Sequence, residues 1–130
     1  LSAASPYSFI ILSISQLSKI FGKENYKSET VESEGVTTSF FQIGESKIEL
    51  VSATNSESPI SNYLQKNREG MHHISFEVED IVREMARLKA EGIRLLNATP
   101  KKGADNKLIC FLHPKDTNGV LIELCQEILQ

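Results

Sequence analysis

Two short strings, Ile48-Glu49-Leu50 and Ile122-Glu123-Leu124, close two similar stretches of this chain, and that repetition limits the fold more than any other feature. Each string follows an apolar run and a turn. Ser39-Phe40-Phe41-Gln42-Ile43, the turn Gly44-Glu45-Ser46 and Lys47-Ile48-Glu49-Leu50 correspond to Ile109-Cys110-Phe111-Leu112, a longer turn at 113–119 and Leu121-Ile122-Glu123-Leu124. In this matching Phe41 falls on Phe111. Side chains alternate along a strand, so each glutamate should point away from its apolar neighbours.

The second half carries the clearest local signal. In residues 72–78, Ile74, Phe76 and Val78 alternate with His73, Ser75 and Glu77, the pattern of a half-buried strand. Asp80 is a helix N-cap candidate; Ile81, Met85 and Leu88, with Val82 and Ala86 beside them, recur at helical spacing until Gly92 stops the helix. That helix is expected to cover the apolar face of the sheet. Strands follow at 93–96, 108–112 and 120–125, so this half reads β-α-β-β-β. The repeat requires the same order in the first half, with residues 54–59 as a linker, 60–66 as a short helix and Glu69-Gly70 opening the second unit. One domain is expected over 1–130: repeat one at about 1–53, linker and short helix at 54–69, repeat two at 70–130. The first-half counterpart of His73 should fall near residue 3, within 1–9. That window holds no histidine, because His72, His73 and His113 all lie in the second half.

Composition removes several classes of function. The chain has 130 residues, 40% hydrophobic and 24% charged, with a net charge of -3, the proportions of one soluble domain able to bury a core without cross-links. Cys110 and Cys125 sit in apolar runs without CxxC or zinc-finger spacing, which reads as two buried reduced thiols in an intracellular, cytoplasmic chain. A pI near 5.6 with scattered Lys and Arg speaks against a nucleic-acid partner. No run approaches a membrane span, and residues 9–12 lack the flanks of a signal peptide. The chain begins at Leu1, so its natural start is expected to lie elsewhere.

Alternation places His73, Glu49 and Glu123 on one side of the sheet. One imidazole and two carboxylates suit Mn²⁺, Co²⁺, Zn²⁺, Ni²⁺ or Mg²⁺, and such an ion can stabilise the enolate left when a carbon beside a carbonyl loses its proton. The same three residues equally suit the wet side of a half-exposed sheet. His72 alternates onto the apolar face as a strand-edge residue. His113, beside Pro114 in a turn, suits either a substrate contact or a structural role.

The repeat and its strings resemble the vicinal oxygen chelate (glyoxalase-like) superfamily, and within it the methylmalonyl-CoA epimerase family. The strings are Gly35-Val36, Gly44-Glu45-Ser46-Lys47-Ile48-Glu49-Leu50, Glu57-Ser58-Pro59-Ile60, Gly70-Met71-His72-His73-Ile74, Glu77-Val78-Glu79-Asp80-Ile81, Phe111-Leu112-His113-Pro114-Lys115 and Gly119-Val120-Leu121-Ile122-Glu123-Leu124, within residues 26–126. The resemblance implies an α+β fold, two β-α-β-β-β repeats forming a concave mixed sheet with helices on its outer face. It implies an isomerase that interconverts the C2 epimers of methylmalonyl-CoA by proton abstraction and enolate stabilisation. His73, Glu123 and Glu49 are the implied metal ligands, with Glu123 as one base and Glu49 as ligand or second base. Co²⁺ is the first candidate among the divalent ions above. His113, Lys115, Lys102 and Gly103 are substrate-binding candidates, and Lys101 and Arg94 could also meet the phosphates of CoA. Relatives are commonly homodimers, cytoplasmic or, in eukaryotes, in the mitochondrial matrix.

Two departures stand out. The family's ligand histidine near the chain start is missing: ungapped alignment back from Gly22 puts its position at Ser2, whereas matching an apolar strand at 10–14 puts it at Phe9. Where some relatives carry a catalytic glutamate three residues after the glycine of Gly-Val, Thr38 stands, with Glu32 and Glu34 displaced nearby. Three readings follow: a working epimerase with water in the vacant place, a member that binds an acyl-CoA or other small ligand without chemistry, or an altered or truncated segment over about the first 22 residues.

Overall fold

A computed structural model describes the backbone of residues 6–129 and the side chains of residues 14–129. The elements run α1 (Pro6–Phe21), β1 (Lys27–Val31), β2 (Val36–Ile43), β3 (Ser46–Ala53), α2 (Pro59–Lys66), β4 (Ile74–Glu77), α3 (Ile81–Ala90), β5 (Lys101–Lys102), β6 (Lys107–Leu112) and β7 (Ile122–Glu127), with 3-10 turns at Glu32–Glu34 and Pro114–Asp116. They divide into two compact units, Leu1–Glu69 and Gly70–Gln130. No helix among the described residues is long and apolar enough to cross a membrane.

In the first unit β1, β2 and β3 form an antiparallel sheet in that order. Strand β2 carries successive fully buried residues, Ser39, Phe40 and Phe41, because both its faces are covered. Phe41 meets Phe21 of α1 edge-on, with ring centroids 5.6 Å apart, while Phe40 points the other way to Tyr26. The buried Ser39 hydroxyl is satisfied by Ser28 Oγ at 2.7 Å. Helix α2 begins with Ser58, whose side chain accepts from the Ile60 N–H, and Pro59 occupies the first turn, where its missing N–H costs nothing.

The apolar stretch at 10–14, expected as a strand, lies within α1. Ile14, Leu17, Ser18 and Phe21 are half-buried between exposed Ser15, Gln16, Lys19 and Ile20, so helical spacing decides the segment. The expected first strand falls on 1–9: residues 6–9 belong to α1, and 1–5, with Ser2, lie outside the described residues. Phe9 is likewise in a helix.

In the second unit the sheet order is β4-β7-β6-β5, with β4 parallel to β7 and the other pairs antiparallel. Asp80 caps α3 through Oδ1 to the Arg83 N–H at 3.0 Å, and Gln126 of β7 accepts the Ile81 N–H at 2.7 Å, tying the helix start to the sheet. Gly92, at φ 86°, ends the helical path in a conformation that side-chain-bearing residues resist. Ile81 and Met85 pack on Cys110, Leu112 and Leu124 to make the core.

Three expectations need correction. Residues 93–96 make only the isolated bridge Leu95 to Leu112, because Asn97 Oδ1 takes the Phe111 N–H at 2.9 Å and interrupts the ladder; Lys101–Lys102 is the edge strand instead. The strand expected at 72–78 is shorter, Ile74–Glu77, and that expected at 120–125 runs Ile122–Glu127. Ile74 and Phe76 share the α3 side of the sheet but remain 39% and 53% exposed, since β4 is the edge and α3 sits over β6 and β7.

Candidate active site

The face of the second sheet opposite α3 assembles the predicted chemistry. Register pairs Ser75 and Phe111 with Glu123, so all three point to that face, and His73 precedes β4 in the same alternation. His73 Nε2 lies 3.9 Å from Glu123 Oε2, with side chains only 14% and 13% exposed, so the pair is largely withdrawn from water. The second carboxylate oxygen accepts the Ser75 hydroxyl at 2.7 Å, which fixes the rotation of Glu123 and leaves Oε2 toward the imidazole. On its other edge His73 shares a hydrogen bond of 3.1 Å, Nδ1 to Nδ1, with His72. The Phe111 ring packs edge-on against His73 at 5.9 Å, and Lys101 Nζ lies 5.9 Å from that ring.

Burial keeps the His73 imidazole below its ordinary value of 6.5, and burial followed by the His73 ring does the same for His72. An imidazole nitrogen beside a carboxylate oxygen supplies donor types that suit two adjacent positions of a divalent cation. Among the described residues no group of three or more His, Cys, Asp or Glu side chains is arranged to hold a metal ion by itself.

Glu49 belongs to the first unit. It pairs with Phe40 in register and therefore lies on the face opposite α1, the equivalent in its own sheet of the Glu123 face. The register also corrects the matching of the repeats: Phe40, not Phe41, is the counterpart of Phe111, since each stands directly across from the glutamate. A lysine lies near both rings, Lys27 at 5.2 Å from Phe40 and Lys101 from Phe111. Thr38 shares the Glu49 face, is buried, and donates to the Glu29 carbonyl at 3.4 Å, while Glu32 and Glu34 stand in the 3-10 turn.

The other candidates are dispersed over the second unit. Lys102 and Lys115 are exposed. His113 Nδ1 accepts the Lys115 N–H at 3.1 Å and caps the Pro114–Asp116 turn, so that edge of the ring is occupied. Arg94 is held by Asp116 through Nε at 3.0 Å and a terminal nitrogen at 2.7 Å, which lowers the Asp116 carboxyl far below the usual range and commits the guanidinium to the protein. Gly103 is buried against Ile109, so its missing side chain is used in packing. Sequence reasoning missed the partners of the central pair, Ser75 on Glu123 and His72 on His73. Alternation put Ser75 on the right face, but only the parallel register sets it opposite Glu123.

Residues 12–111 match the Glyoxalase/Bleomycin resistance protein/Dioxygenase superfamily. The chain belongs to that superfamily. Among its relatives, the ethylmalonyl-CoA/methylmalonyl-CoA epimerase of Cereibacter sphaeroides is 49% identical over 94 residues, 71% of this chain and 70% of that protein. The mitochondrial methylmalonyl-CoA epimerase of Dictyostelium discoideum is 44% identical over 106 residues, 81% of this chain and 64% of that protein. A solved structure of Streptomyces coelicolor methylmalonyl-CoA epimerase in complex with 2-nitronate-propionyl-CoA is similar with a TM-score of 0.86 at 30% identity, covering 92% of this chain and 89% of that one. The superfamily fold accounts for the α+β class and for the repeated hairpins, and the family resemblance of the sequence strings is borne out.

Proposed function

We propose that this chain interconverts the C2 epimers of methylmalonyl-CoA by removing and returning the C2 proton, with a divalent metal ion assisting. The observation that carries the reading is the shielded His73–Glu123 pair, 3.9 Å apart, in a chain 49% identical to an ethylmalonyl-CoA/methylmalonyl-CoA epimerase. In the second unit His73 through Nε2 and Glu123 are the residues that would hold the ion, and the family resemblance alone adds Glu49 to the ligand set. When bound, such an ion supplies electrostatic stabilisation to the negative charge that develops on the thioester oxygen.

The remaining work falls to the chain's own groups. Glu123 serves as one base and Glu49 as ligand or second base, as epimerisation requires proton exchange on both faces of the planar intermediate. Ser75 holds Glu123 in one rotation, so the carboxylate need not reorganise as the proton moves. Phe111 packs edge-on against His73 and steadies the ring. The exposed Lys102 and Lys115 meet phosphates of the CoA moiety, His113 offers the edge of its ring not used in capping, and Gly103 allows the ligand a close approach to the backbone. Co²⁺ is the proposed metal, a homodimer the proposed state, residues 1–130 one functional domain, and the cytoplasm, or the mitochondrial matrix in a eukaryote, the proposed compartment.

A second reading, a member that binds an acyl-CoA without turning it over, draws support from Thr38, a group that cannot act as a carboxylate base. Deuterium incorporation at C2 of a single epimer in D₂O, with added Co²⁺ or Mn²⁺, separates the two. Metal-dependent exchange with the other epimer appearing, abolished in Glu123→Gln, is expected for the epimerase. Absence of exchange in folded, metal-loaded protein would leave the binding protein.

A further inference from the structure

His73 is held on more sides than a surface ligand needs. Its ring stands almost perpendicular to that of His72, 84° with centroids 5.3 Å apart, and almost perpendicular to Phe111, 79° at 5.9 Å. Its Nδ1 meets His72 Nδ1 at 3.1 Å, and its Nε2 is directed at Glu123. A hydrogen bond between two ring nitrogens requires that one carry the proton and the other present a lone pair. If His73 is to offer its Nε2 lone pair to a cation while neutral, its proton must sit on Nδ1, and the atom in place to accept it is His72 Nδ1. Ligating histidines are generally oriented by a carboxylate, a backbone carbonyl or a water on the second nitrogen, and that partner selects the tautomer. Here the preceding imidazole stands in that position.

We propose that His72 is a positioning residue for the cation site: in the loaded protein its Nδ1 accepts the His73 Nδ1–H, holding His73 in the tautomer whose Nε2 lone pair faces Glu123. The sequence pattern assigns His72 to the apolar face of a strand, but β4 begins at Ile74 and the His72 ring meets His73 through Nδ1 instead. The inference rests on the metal-assisted reading above and extends it to a residue outside the proposed ligand set.

The test uses the full chain labelled with ¹⁵N-histidine, loaded with Zn²⁺ alone at mildly alkaline pH, and reads the ring nitrogens by long-range ¹H–¹⁵N correlation. The expected result is a His73 ring protonated at Nδ1 with Nε2 shifted by the metal, and a His72 ring protonated at Nε2. Two variants accompany it. His72→Phe removes the acceptor and should weaken Zn²⁺ binding about 10- to 100-fold, the range for loss of such an orienting partner. His72→Asn keeps an oxygen acceptor and should retain most of the affinity. Zn²⁺ that shifts His73 while His72 keeps its proton on Nδ1 would overturn the inference alone, as would equal affinities for the two folded variants. Zn²⁺ that leaves His73 Nε2 unshifted would overturn the cation site and the inference together. Should His72→Phe fail to fold, the tautomers of the unmodified protein decide.

Discussion

Replacing Gly103 with Ala tests whether that glycine serves the fold or the ligand. An added Cβ would lie 2.8 Å from Ile109 Cδ1, 3.0 Å from Cγ2 and 3.2 Å from Cγ1, all inside the about 3.5–4.0 Å at which carbon atoms attract. Ile109 is 6% exposed within β6, so it has little room to withdraw. Overpacking of this kind costs about 1–3 kcal/mol, and the loss of unfolded-chain freedom on going from Gly to Ala offsets about 0.4–1 kcal/mol. The net expectation is a destabilisation of roughly 1–2 kcal/mol. Ile109→Val deletes Cδ1, the nearest atom, at a cost of its own of about 0.5–1.5 kcal/mol. The double variant should therefore be more stable than the sum of the singles predicts by at least about 0.5 kcal/mol. Urea unfolding followed by far-ultraviolet circular dichroism measures all four proteins. An unchanged midpoint for Gly103→Ala, or additivity within about 0.3 kcal/mol, would refute the packing argument. If in addition the KM for an acyl-CoA rose, the glycine would be there for the ligand.

Two further outcomes follow from local geometry. Asp80→Ala removes the side-chain acceptor of the Arg83 N–H at the start of α3 and should cost about 1 kcal/mol, read as a lower urea midpoint; no change would mean that the Gln126 contact to Ile81 suffices. Burial holds His72 and His73 below 6.5, so the folded chain takes up protons less readily than the unfolded chain. Stability contributed by the pair is then complete above about pH 6.5 and is lost as pH falls through the lower folded values. Urea midpoints across that window should fall for the unmodified chain and fall less for the His72→Gln/His73→Gln variant; parallel curves would sink the assignment.

Legibility from the sequence tracked how local each signal was. Helix α3 was readable in full because its cap, its periodic face and its glycine stop all lie within one segment. The hairpin β2–β3 was readable because apolar residues flank a short Gly44 turn. The chain start was misread: a run of Ile and Leu fits strand and helix alike, and the helical spacing of Ile14, Leu17 and Phe21 becomes decisive only once Phe21 finds Phe41. The strand at 93–96 failed for a similar reason, since the side chain that interrupts it, Asn97, bonds to Phe111, 14 residues further on. At the candidate site, the residue types His73, Glu49 and Glu123, and the face that each glutamate takes within its own sheet, followed from period-two alternation.

What the sequence by itself determined is which residues can carry chemistry and which side of a strand each occupies, because alternation and capping are properties of a few consecutive peptide units. What only the tertiary structure decided is which of them meet. The parallel pairing of β4 with β7 sets Ser75 against Glu123 and brings His73 to within 3.9 Å of it, from residues 48 and 50 positions apart in the chain. The antiparallel registers make Phe40 rather than Phe41 the partner of the first glutamate. A shift of one residue in either ladder would turn these side chains to the opposite face, and register is set by burial across the whole sheet, which no single stretch of sequence contains.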